Sequence, residues 1–341
     1  ATRLQGTPIP RNQRRGSHLF ESQITLWDVE TGEKISEGPM VFGKMLSVQF
    51  LPNGDRLATA RGITGGHEVG FWSVAEEGRV LKYRKPQFIR EVGITATTKA
   101  SPDQIATKLA VSPDGDTLAA YACYGFTGSG SVGSVSTLRL WPKSGGSRFV
   151  ESCDPENFYI RDLCFSQDSQ QIISLVGQAG LSANGKESGF ILTARSVDDP
   201  EKVTFQRQFD DVSRSTAGLC AIPKTSWLAM GGNEDVLIFD LKTREEVFRL
   251  KSPVPFPVTE LAVSADGKFL AAGTEHGFGN AWIVIWKLAS QQVIAKRQKD
   301  CRDLEFSPDN RFLAIAGNQL CLWDISEETG ASQGTRGSRT K

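Results

Sequence analysis

One short apolar strand recurs along the chain, and this repetition limits the possible fold more strongly than any other feature. A typical copy is Ile24-Thr25-Leu26-Trp27, with branched or leucine side chains on both alternating faces and an aromatic residue near its end. Six copies keep the aromatic anchor, at residues 24–29, 69–74, 138–141, 236–241, 283–288 and 320–325, and residues 192–197 form a degenerate seventh. Strands that are apolar on both faces are typical of sheets covered on both sides. The chain is therefore predicted to stack several sheets face to face.

The spacing of the copies indicates the size of the repeated unit. The anchors lie at positions 27, 72, 141, 195, 239, 286 and 323, so successive intervals are 45, 69, 54, 44, 47 and 37 residues. A four-stranded propeller blade occupies about 40–45 residues. The two longest intervals therefore predict insertions within the repeat.

A second motif precedes all but the first of the anchor strands by roughly 20–30 residues. It is a strand that ends in a tight turn, as in Val111-Ser112-Pro113-Asp114-Gly115, and another strand follows at once. Proline fixes φ in such turns, and glycine or asparagine accepts a positive φ. The copies are residues 48–54, 109–115, 163–168, 261–267 and 304–310, and residues 219–223 form a degenerate copy. Each unit is predicted to be inner strand, tight turn, second strand, variable loop, anchor strand, turn and outer strand.

This pattern resembles the WD-repeat β-propeller family over residues 22–326, and Trp27-Asp28 and Trp323-Asp324 match its signature dipeptide. The resemblance implies an all-β, seven-bladed propeller of four-stranded antiparallel blades. The Gly-His pair usual before the inner strand is missing here. The first blade lacks an inner strand and the last lacks an outer one, so both are expected to be incomplete. We expect roughly 20–30 residues upstream of Ala1 in the natural chain to complete a blade; whether they lead into another domain stays open.

The two ends of the chain differ in composition from the repeats. Residues 1–21 are polar and basic and are predicted to form a solvated arm. Two alternatives stay open: an arm that binds nucleic acid or a partner, and a worn second strand of the first blade at residues 2–6. Residues 327–341 are rich in Gly, Ser, Thr and Arg and are predicted to be a flexible polar tail.

Charge and cysteine content limit which partners and which cellular compartment are expected. Lys plus Arg equals Asp plus Glu at 39 each, so no net field attracts nucleic acid or an anionic membrane. The chain has no run of 18 apolar residues, so no membrane span is predicted.

Among six cysteines, Cys164, Cys220 and Cys321 lie in strands, where cysteine is usually a small buried apolar residue. A disulfide from Cys153 or Cys301 is the alternative. A reducing, cytoplasmic location is expected.

The predicted loops are distributed unevenly between the two ends of the blades. The connections at one end are short, as in residues 113–115 and 265–267. The longer connections share the other end and comprise 61–68, 125–136, 177–187 and 274–280 within blades and 84–104, 151–158, 206–215 and 251–257 between blades. Insertions on one face of a repeat protein usually mark its binding face. That loop-rich face is predicted to bind a partner.

Nine residues on this face are predicted to contact the partner. Some are large apolar side chains in Gly- and Ser-rich loops, a residue type that dominates protein interfaces; the alternative is that they fold back as local cores. The pairs Arg161-Asp162 and Arg302-Asp303 occupy equivalent positions where inner strands begin, and are expected either to present paired charge to a ligand or to bind each other and the adjoining blade. The set is Tyr124, Phe126, Arg161, Asp162, Leu181, His276, Phe278, Arg302 and Asp303.

The sequence predicts a non-catalytic platform that binds a protein or peptide, as the recognition domain of a larger signalling or assembly protein. No catalytic residue, metal ligand or cofactor is predicted, because His67 and His276 are the only loop histidines and neither lies in a nucleophile motif. Two alternatives remain. One is a propeller hydrolase or lyase with a site at the mouth of a central channel. The other is nucleic-acid binding through the basic termini.

Overall fold

The computed structural model describes residues 2–8, 20–42, 44–52, 54–63, 66–74, 81–89, 106–128, 131–143, 148–153, 158–178, 189–209, 218–274, 281–317 and 319–330. These residues form 27 strands and one short helix. The chain divides into two compact units, residues 1–208 and 209–341.

Unit 1 contains four antiparallel sheets. The first comprises β1 (Thr2–Pro8), β2 (Phe20–Trp27), β3 (Lys34–Glu37) and β4 (Val41–Phe42), with β3 and β4 both paired to β2. The second comprises β5 (Lys44–Phe50), β6 (Arg56–Ile63), β7 (Gly66–Val74) and β8 (Leu81–Ile89). The third comprises β9 (Ala106–Val111), β10 (Thr117–Gly128), β11 (Ser131–Pro142) and β12 (Arg148–Cys153). The fourth comprises β13 (Phe158–Phe165), β14 (Gln171–Gln178), β15 (Phe190–Ser196) and β16 (Val203–Phe209), whose last residue opens unit 2.

Unit 2 contains three further sheets and the helix. The fifth sheet comprises β17 (Leu219–Ala221), β18 (Trp227–Gly231), β19 (Asp235–Asp240) and β20 (Glu245–Lys251). The sixth comprises β21 (Val258–Val263), β22 (Phe269–Thr274), β23 (Trp282–Lys287) and β24 (Gln292–Gln298). The seventh has three strands, β25 (Asp303–Phe306), β26 (Phe312–Ala316) and β27 (Leu320–Asp324), followed by α1 (Ser326–Thr329).

Consecutive sheets within a unit pack face to face because their anchor strands are apolar on both sides. In β23, Val284 and Trp286 pack into a core shared with the fifth sheet, whereas Ile283 and Ile285 pack into a core shared with the seventh. All four side chains are at most 1% exposed. Strict alternation along one strand thus supplies two cores. The predicted all-β propeller of antiparallel blades is confirmed, and the seven sheets agree with the predicted count. Among the described residues the last sheet has three strands and no strand pairs with β1 on its other side, as predicted for incomplete last and first blades.

The tight turns owe their shape to a repeated serine and aspartate pair. The hydroxyl of Ser264 donates to the Asp266 carboxylate over 2.8 Å and accepts from the Phe269 amide over 2.9 Å. Burial alone would raise the pKa of Asp266, but hydrogen bonds from Ser264 and Lys268 outweigh it and lower the pKa. The same hydroxyl-to-carboxylate bond measures 2.6 Å at Ser112–Asp114, 2.5 Å at Ser166–Asp168 and 2.5 Å at Ser307–Asp309. Each carboxylate therefore accepts a hydrogen bond that closes the turn between an inner and a second strand.

Neighbouring turns also contact each other through their fourth residue. Gly115 adopts a φ of 74°, and a Cβ there would lie 3.3 Å from the Pro52 ring of the preceding turn. Where the fourth residue is polar, it bonds instead: the Ser169 hydroxyl accepts from the Asp114 amide over 3.2 Å. The Asn310 side chain does the same for the Ala265 amide over 3.1 Å. These contacts join successive blades at the short-turn end.

Several predicted loops are strands, which corrects the expectation of long connections. Most of 61–68 belongs to the β6–β7 hairpin, and most of 125–136 to the β10–β11 hairpin. The outer strand β8 runs to Ile89, so the 84–104 connection begins later than predicted. Strand ends also extend into 151–158, 177–187 and 206–215. Gly and Ser are poor strand formers, but pairing along a hairpin overrides that local preference.

The N-terminal residues take part in the first sheet. Strand β1 pairs with β2 in register from Thr2 opposite Leu26 to Pro8 opposite Phe20. At the other end, α1 follows β27 directly and stops at Gly330, which has a φ of 68°. Residues 9–19 and 331–341 lie outside the described residues.

Candidate partner-binding surfaces

Among the described residues, the β10–β11 hairpin extends beyond the other two strands of its sheet. The inner strand β9 pairs with β10 as far as Cys123, and the outer strand β12 pairs with β11 as far as Ser136. Five further residue pairs continue past these points, from Tyr124 opposite Val135 to Gly128 opposite Ser131. We call residues 124–128 and 131–135 the ribbon. Tyr124 and Phe126 therefore occupy alternate positions of a two-stranded extension rather than a loop.

Arg161 and Asp162 lie in the inner strand β13, and contacts with the third sheet hold both residues. The pairing of β13 with β14 shifts register between Ile160 and Asp162, so Arg161 lies in a β-bulge. The Tyr121 hydroxyl donates to the Arg161 carbonyl oxygen over 2.9 Å. Asp162 is 3% exposed and forms a 2.9 Å ion pair with Lys108 of β9. These contacts join the third and fourth sheets. They agree with the alternative in which the paired charges bind the adjoining blade rather than a ligand.

Arg302 and Asp303 occupy the equivalent position at β25 and are both exposed. The Arg302 amide donates to the Ala316 carbonyl oxygen over 2.6 Å, and the Asp303 carboxylate accepts from the Leu304 amide over 3.0 Å. The corresponding carboxylate of Asp162 accepts from the Leu163 amide over 2.7 Å. The two sites thus share a local backbone motif but differ in burial, because in the fourth sheet a lysine from the neighbouring sheet meets the carboxylate.

Cys301 precedes this pair and is a buried thiol outside any disulfide, so the disulfide alternative is wrong for Cys301. Desolvation raises its pKa, and the nearby carboxylates of Glu260, Asp303 and Asp300 add to that effect. A protonated buried thiol is a poor nucleophile and a poor metal ligand. The chemistry of Cys301 is therefore that of an apolar core residue. The Cys153 side chain lies outside the described residues.

Several described side chains on one face of the seventh sheet are exposed, and the sequence did not identify this face as a site. On β25, β26 and β27 the pairing aligns Asp303, Ala316 and Leu320 in one row and Glu305, Ala314 and Leu322 in the next. We call these six residues the terminal face. Leu320 and Leu322 are each 37% exposed. Desolvation by the surrounding protein, with a smaller contribution from Asp303, raises the pKa of Glu305 to about 7. Contact with water at this exposed side chain moderates the rise.

The remaining predicted residues, Leu181, His276 and Phe278, lie outside the described residues. Lys108 was absent from the predicted set, although the sequence places it in line with Arg161-Asp162. An acidic residue aligned with a basic residue of the neighbouring blade would have indicated that Lys108 belongs with Asp162. The terminal face also had a signal in the sequence, the missing outer strand of the last repeat.

The described residues contain no group of three or more His, Cys, Asp or Glu side chains arranged to hold a metal ion. Within that same part of the chain, no helix is long and apolar enough to cross a membrane. Charged side chains in the described residues form ion pairs, some of them on strands. An example is Asp235, which lies 3.1 Å from Lys251 and 3.4 Å from Arg249.

Comparison with known proteins adds one relative by sequence. No model of a protein family matches the chain. The chain is similar to the Protein LST8 homolog of Drosophila melanogaster, with 29% identity over 121 residues. The match covers 32% of this chain and 37% of that protein, so the chain spans little more than a third of the relative's length.

Two solved structures share the fold over most of the chain. Hydrazine synthase of Kuenenia stuttgartiensis matches with a TM-score of 0.62 and 15% identity, covering 89% of both chains. A chain in the crystal structure of the mitotic checkpoint complex matches with a TM-score of 0.56 and 15% identity, covering 89% of this chain and 81% of that one. At such low identity these likenesses establish the β-propeller fold and nothing about activity.

Proposed function

We propose that this chain, a WD-repeat β-propeller, is a non-catalytic platform that binds a partner protein or peptide through its loop-rich face. The observation that carries the proposal is the ribbon, which continues five residue pairs beyond the four-stranded part of its sheet. It places Tyr124 and Phe126 on a two-stranded extension of a sheet whose base is buried. A rigid base limits the entropy lost when such a surface binds.

The packing of the blades supports a scaffold role. Leu138 and Leu140, at the base of the ribbon, are at most 1% exposed and belong to a core shared by the third and fourth sheets. The Lys108–Asp162 ion pair and the Tyr121–Arg161 hydrogen bond join the same two sheets. The ribbon therefore projects from the third sheet, which is fixed to the fourth, and this rigidity suits a surface for specific contacts.

The sequence similarity to the Protein LST8 homolog supports a WD-repeat platform. The structural matches, to a chain of the mitotic checkpoint complex and to hydrazine synthase, support the propeller fold on which the proposal rests. The proposal extends to a cytoplasmic location within a signalling or assembly complex. Cys301 and Cys321, both outside disulfides, are consistent with a reducing compartment.

The test is affinity purification of the tagged protein from its native source, followed by reconstitution with the purified partner. A Tyr124→Asp, Phe126→Asp variant is compared with the wild type. A matched control is Val247→Asp, which introduces the same charge at a residue 40% exposed on β20. We expect the partner to bind the wild type and the control with similar affinity and the ribbon variant at least ~10-fold more weakly.

Melting curves must show that all three proteins are folded. Equal binding by the ribbon variant and the control would contradict the ribbon as the binding site. Failure of any protein to co-purify with the wild type would contradict the platform itself.

A further inference from the structure

The outer strand of the sixth sheet ends in a group of three cations. Strand β24 reads Gln-Val-Ile-Ala-Lys-Arg-Gln, so it contains Lys296 and Arg297 and no Asp or Glu, and Lys299 follows it directly. Lys296 and Arg297 are exposed, and Lys299 is half-buried. Within the described part of the chain, none of the three forms an ion pair with a carboxylate.

The cations on the outer strand of the fifth sheet are matched by acidic residues. On β20, Arg249 lies 2.8 Å from Glu246, and Lys251 lies 3.1 Å from Asp235 of the adjoining strand β19. Such pairs balance the charge of that strand locally. The charge of the cations on β24 is instead available to a ligand.

Two tryptophan rings position the cations without neutralising them. The Lys296 Nζ atom lies 5.9 Å from the centre of the Trp282 ring, and the Arg297 guanidinium carbon lies 5.4 Å from the centre of the Trp323 ring. A ring face attracts a cation through its quadrupole but carries no net charge. The contacts therefore order both side chains in advance, which reduces the entropy lost when a ligand binds them.

Lys296 and Arg297 lie on opposite faces of β24. Lys296 pairs with Val284, which packs toward the fifth sheet, and Arg297 pairs with Ile283, which packs toward the seventh. Residues directly opposite each other in an antiparallel pair share a face. A ligand on one face of the sheet would therefore reach one of the two cations. A strand alongside β24 would reach both, because its own side chains alternate between the faces.

The backbone of β24 can accept such a strand. The Lys299 amide donates to the Ala281 carbonyl oxygen over 3.0 Å, on the side of β23. Because backbone groups alternate in direction along a strand, the amide and carbonyl of Lys296 point away from β23. Among the described residues, no strand pairs with β24 on that outer side. Lys296 thus offers a donor and an acceptor at the edge of the sheet.

Charge selects among the possible occupants of this edge. Opposite charges stabilise cross-strand pairs and like charges destabilise them, so the complement of β24 is an acidic strand. Residues 331–341 contain three basic residues and no Asp or Glu, so their sequence does not match. A second copy paired antiparallel about Lys296 and Arg297 would set cation against cation. A nucleic acid would supply negative charge but no peptide groups to pair with the Lys296 backbone.

We propose that β24 binds an extended acidic segment of a partner protein, which adds to the outer edge of the sixth sheet as a fifth strand. Carboxylates of the segment pair with Lys296, Arg297 and Lys299, and main-chain hydrogen bonds to Lys296 fix the register. The site lies in unit 2, uses different residues from the ribbon and does not depend on the function proposed above.

The probe is the peptide Thr-Glu-Val-Glu-Glu-Val-Thr, labelled with fluorescein at its N terminus and amidated at its C terminus. When its two adjacent glutamates lie opposite Arg297 and Lys296 in an antiparallel pair, its first glutamate lies opposite Lys299. Binding to the full chain is followed by fluorescence anisotropy, and hydrogen exchange of the Lys296 amide is followed by NMR. We expect saturable binding that slows exchange at Lys296.

Two control peptides separate charge recognition from strand formation. Replacing the three glutamates by glutamine preserves the backbone and should weaken binding ~10-fold, because three charge pairs are lost. N-methylation of the glutamate opposite Lys296 preserves every charge but removes the amide that would donate to the Lys296 carbonyl oxygen. This change should also weaken binding ~10-fold.

Protein variants localise the site. Lys296→Gln, Arg297→Gln should weaken binding of the probe at least ~5-fold. The matched control is Lys224→Gln, Lys242→Gln, which removes two exposed lysines elsewhere in unit 2 and should leave binding unchanged. The charge-reversed variant Lys296→Glu, Arg297→Glu should prefer a probe with lysine in place of the two adjacent glutamates. The ribbon variant should bind the original probe normally, so this proposal and the platform proposal fail separately.

Five outcomes would overturn the proposal. Equal binding of the N-methylated peptide would show that no strand is added, and equal binding of the glutamine peptide would show that charge is not recognised. Both results come from the wild-type protein, so they decide the matter even if a variant fails to fold. Slow exchange at Lys296 without the probe would show that the edge is already covered. Displacement of the probe by a short oligothymidine that binds more tightly would assign the cations to nucleic acid. Absence of saturable binding would remove the site.

Discussion

At the residue scale, Gly267 shows how the contact between neighbouring turns limits substitution. Its φ is 74°, and a Cβ added there would lie 2.6 Å from the Pro223 carbonyl oxygen. Gly267→Ala therefore combines backbone strain with a collision, and we expect it to lower the free energy of unfolding by about 2–4 kcal/mol. Urea denaturation monitors the change. Gly32→Ala is the control, because Gly32 has a φ of 70° and no atom within 4 Å of the added Cβ. Equal losses would show that the collision is absent.

The ion pair between Lys108 and Asp162 should stabilise the protein more than a surface pair does. Its Asp162 side chain is 4% exposed, whereas the side chains of the Lys143–Asp116 pair are 66% and 55% exposed at a similar distance of 2.8 Å. A double-mutant cycle with Lys108→Met and Asp162→Asn should give a coupling energy of about 1–3 kcal/mol. The same cycle at the surface pair should give less than ~0.5 kcal/mol. Similar values for both would contradict a structural role for Asp162.

Glu305 is expected to make stability fall as pH rises. Its folded-state pKa is raised to about 7 by desolvation, so between the ordinary glutamate value of 4.5 and about 7 the folded protein holds a proton that the unfolded chain has lost. The loss of stability that follows ionisation of Glu305 is absent below this pH window and complete above it. Glu305→Gln should stabilise the protein at pH 8 by at most about 1–2 kcal/mol, since water screens the exposed carboxylate, and should change nothing at pH 4. Asp303→Asn should shift the effect to lower pH. A Glu305→Gln effect independent of pH would contradict this assignment.

At the scale of elements, the burial of the serine is expected to set how much each serine and aspartate turn stabilises the protein. Ser264 is 0% exposed, and Ser264→Ala leaves the Phe269 amide and Asp266 without their hydroxyl partner. We expect a loss of about 1–3 kcal/mol. Ser307→Ala removes the same bonds at a half-buried serine, where water can replace the hydroxyl, and should cost less. Thermal melts of both variants test the ranking, and the reverse order would contradict the role of burial.

The strands and turns with a repeated signature were predictable, and the connections were not. The anchor strand was identified from residues such as Trp286, and the turn from residues such as Ser264 and Asp266, because each is set by local periodicity or local hydrogen bonding. The ribbon was predicted as a loop because residues 125–136 are rich in Gly and Ser. Cross-strand pairing decides such a segment, and no local preference reports it.

At the scale of the whole molecule, the aromatic anchors are expected to hold the scaffold rather than bind the partner. Trp286 is 1% exposed within the core of the fifth and sixth sheets, and its ring nitrogen donates to the Lys251 carbonyl oxygen over 3.3 Å. Trp286→Ala should cost about 3–5 kcal/mol through cavity formation. Partner capture should fall only as the folded fraction falls, measured by melting and binding on the same samples. A folded variant that loses its partner would overturn the scaffold role.

The sequence by itself determined the repeat, the all-β class and the WD-repeat β-propeller resemblance, all of which are confirmed. These follow from period-two apolar patterns and turn residues, which act over a few positions. Only the tertiary structure decided which charges are structural: Asp162 and Asp303 are equivalent in sequence, yet Asp162 is buried against Lys108 and Asp303 is exposed. Burial depends on which sheet lies opposite, so neither that difference nor the exposure of Leu320 and Leu322 is encoded by the residues' own neighbours in the chain.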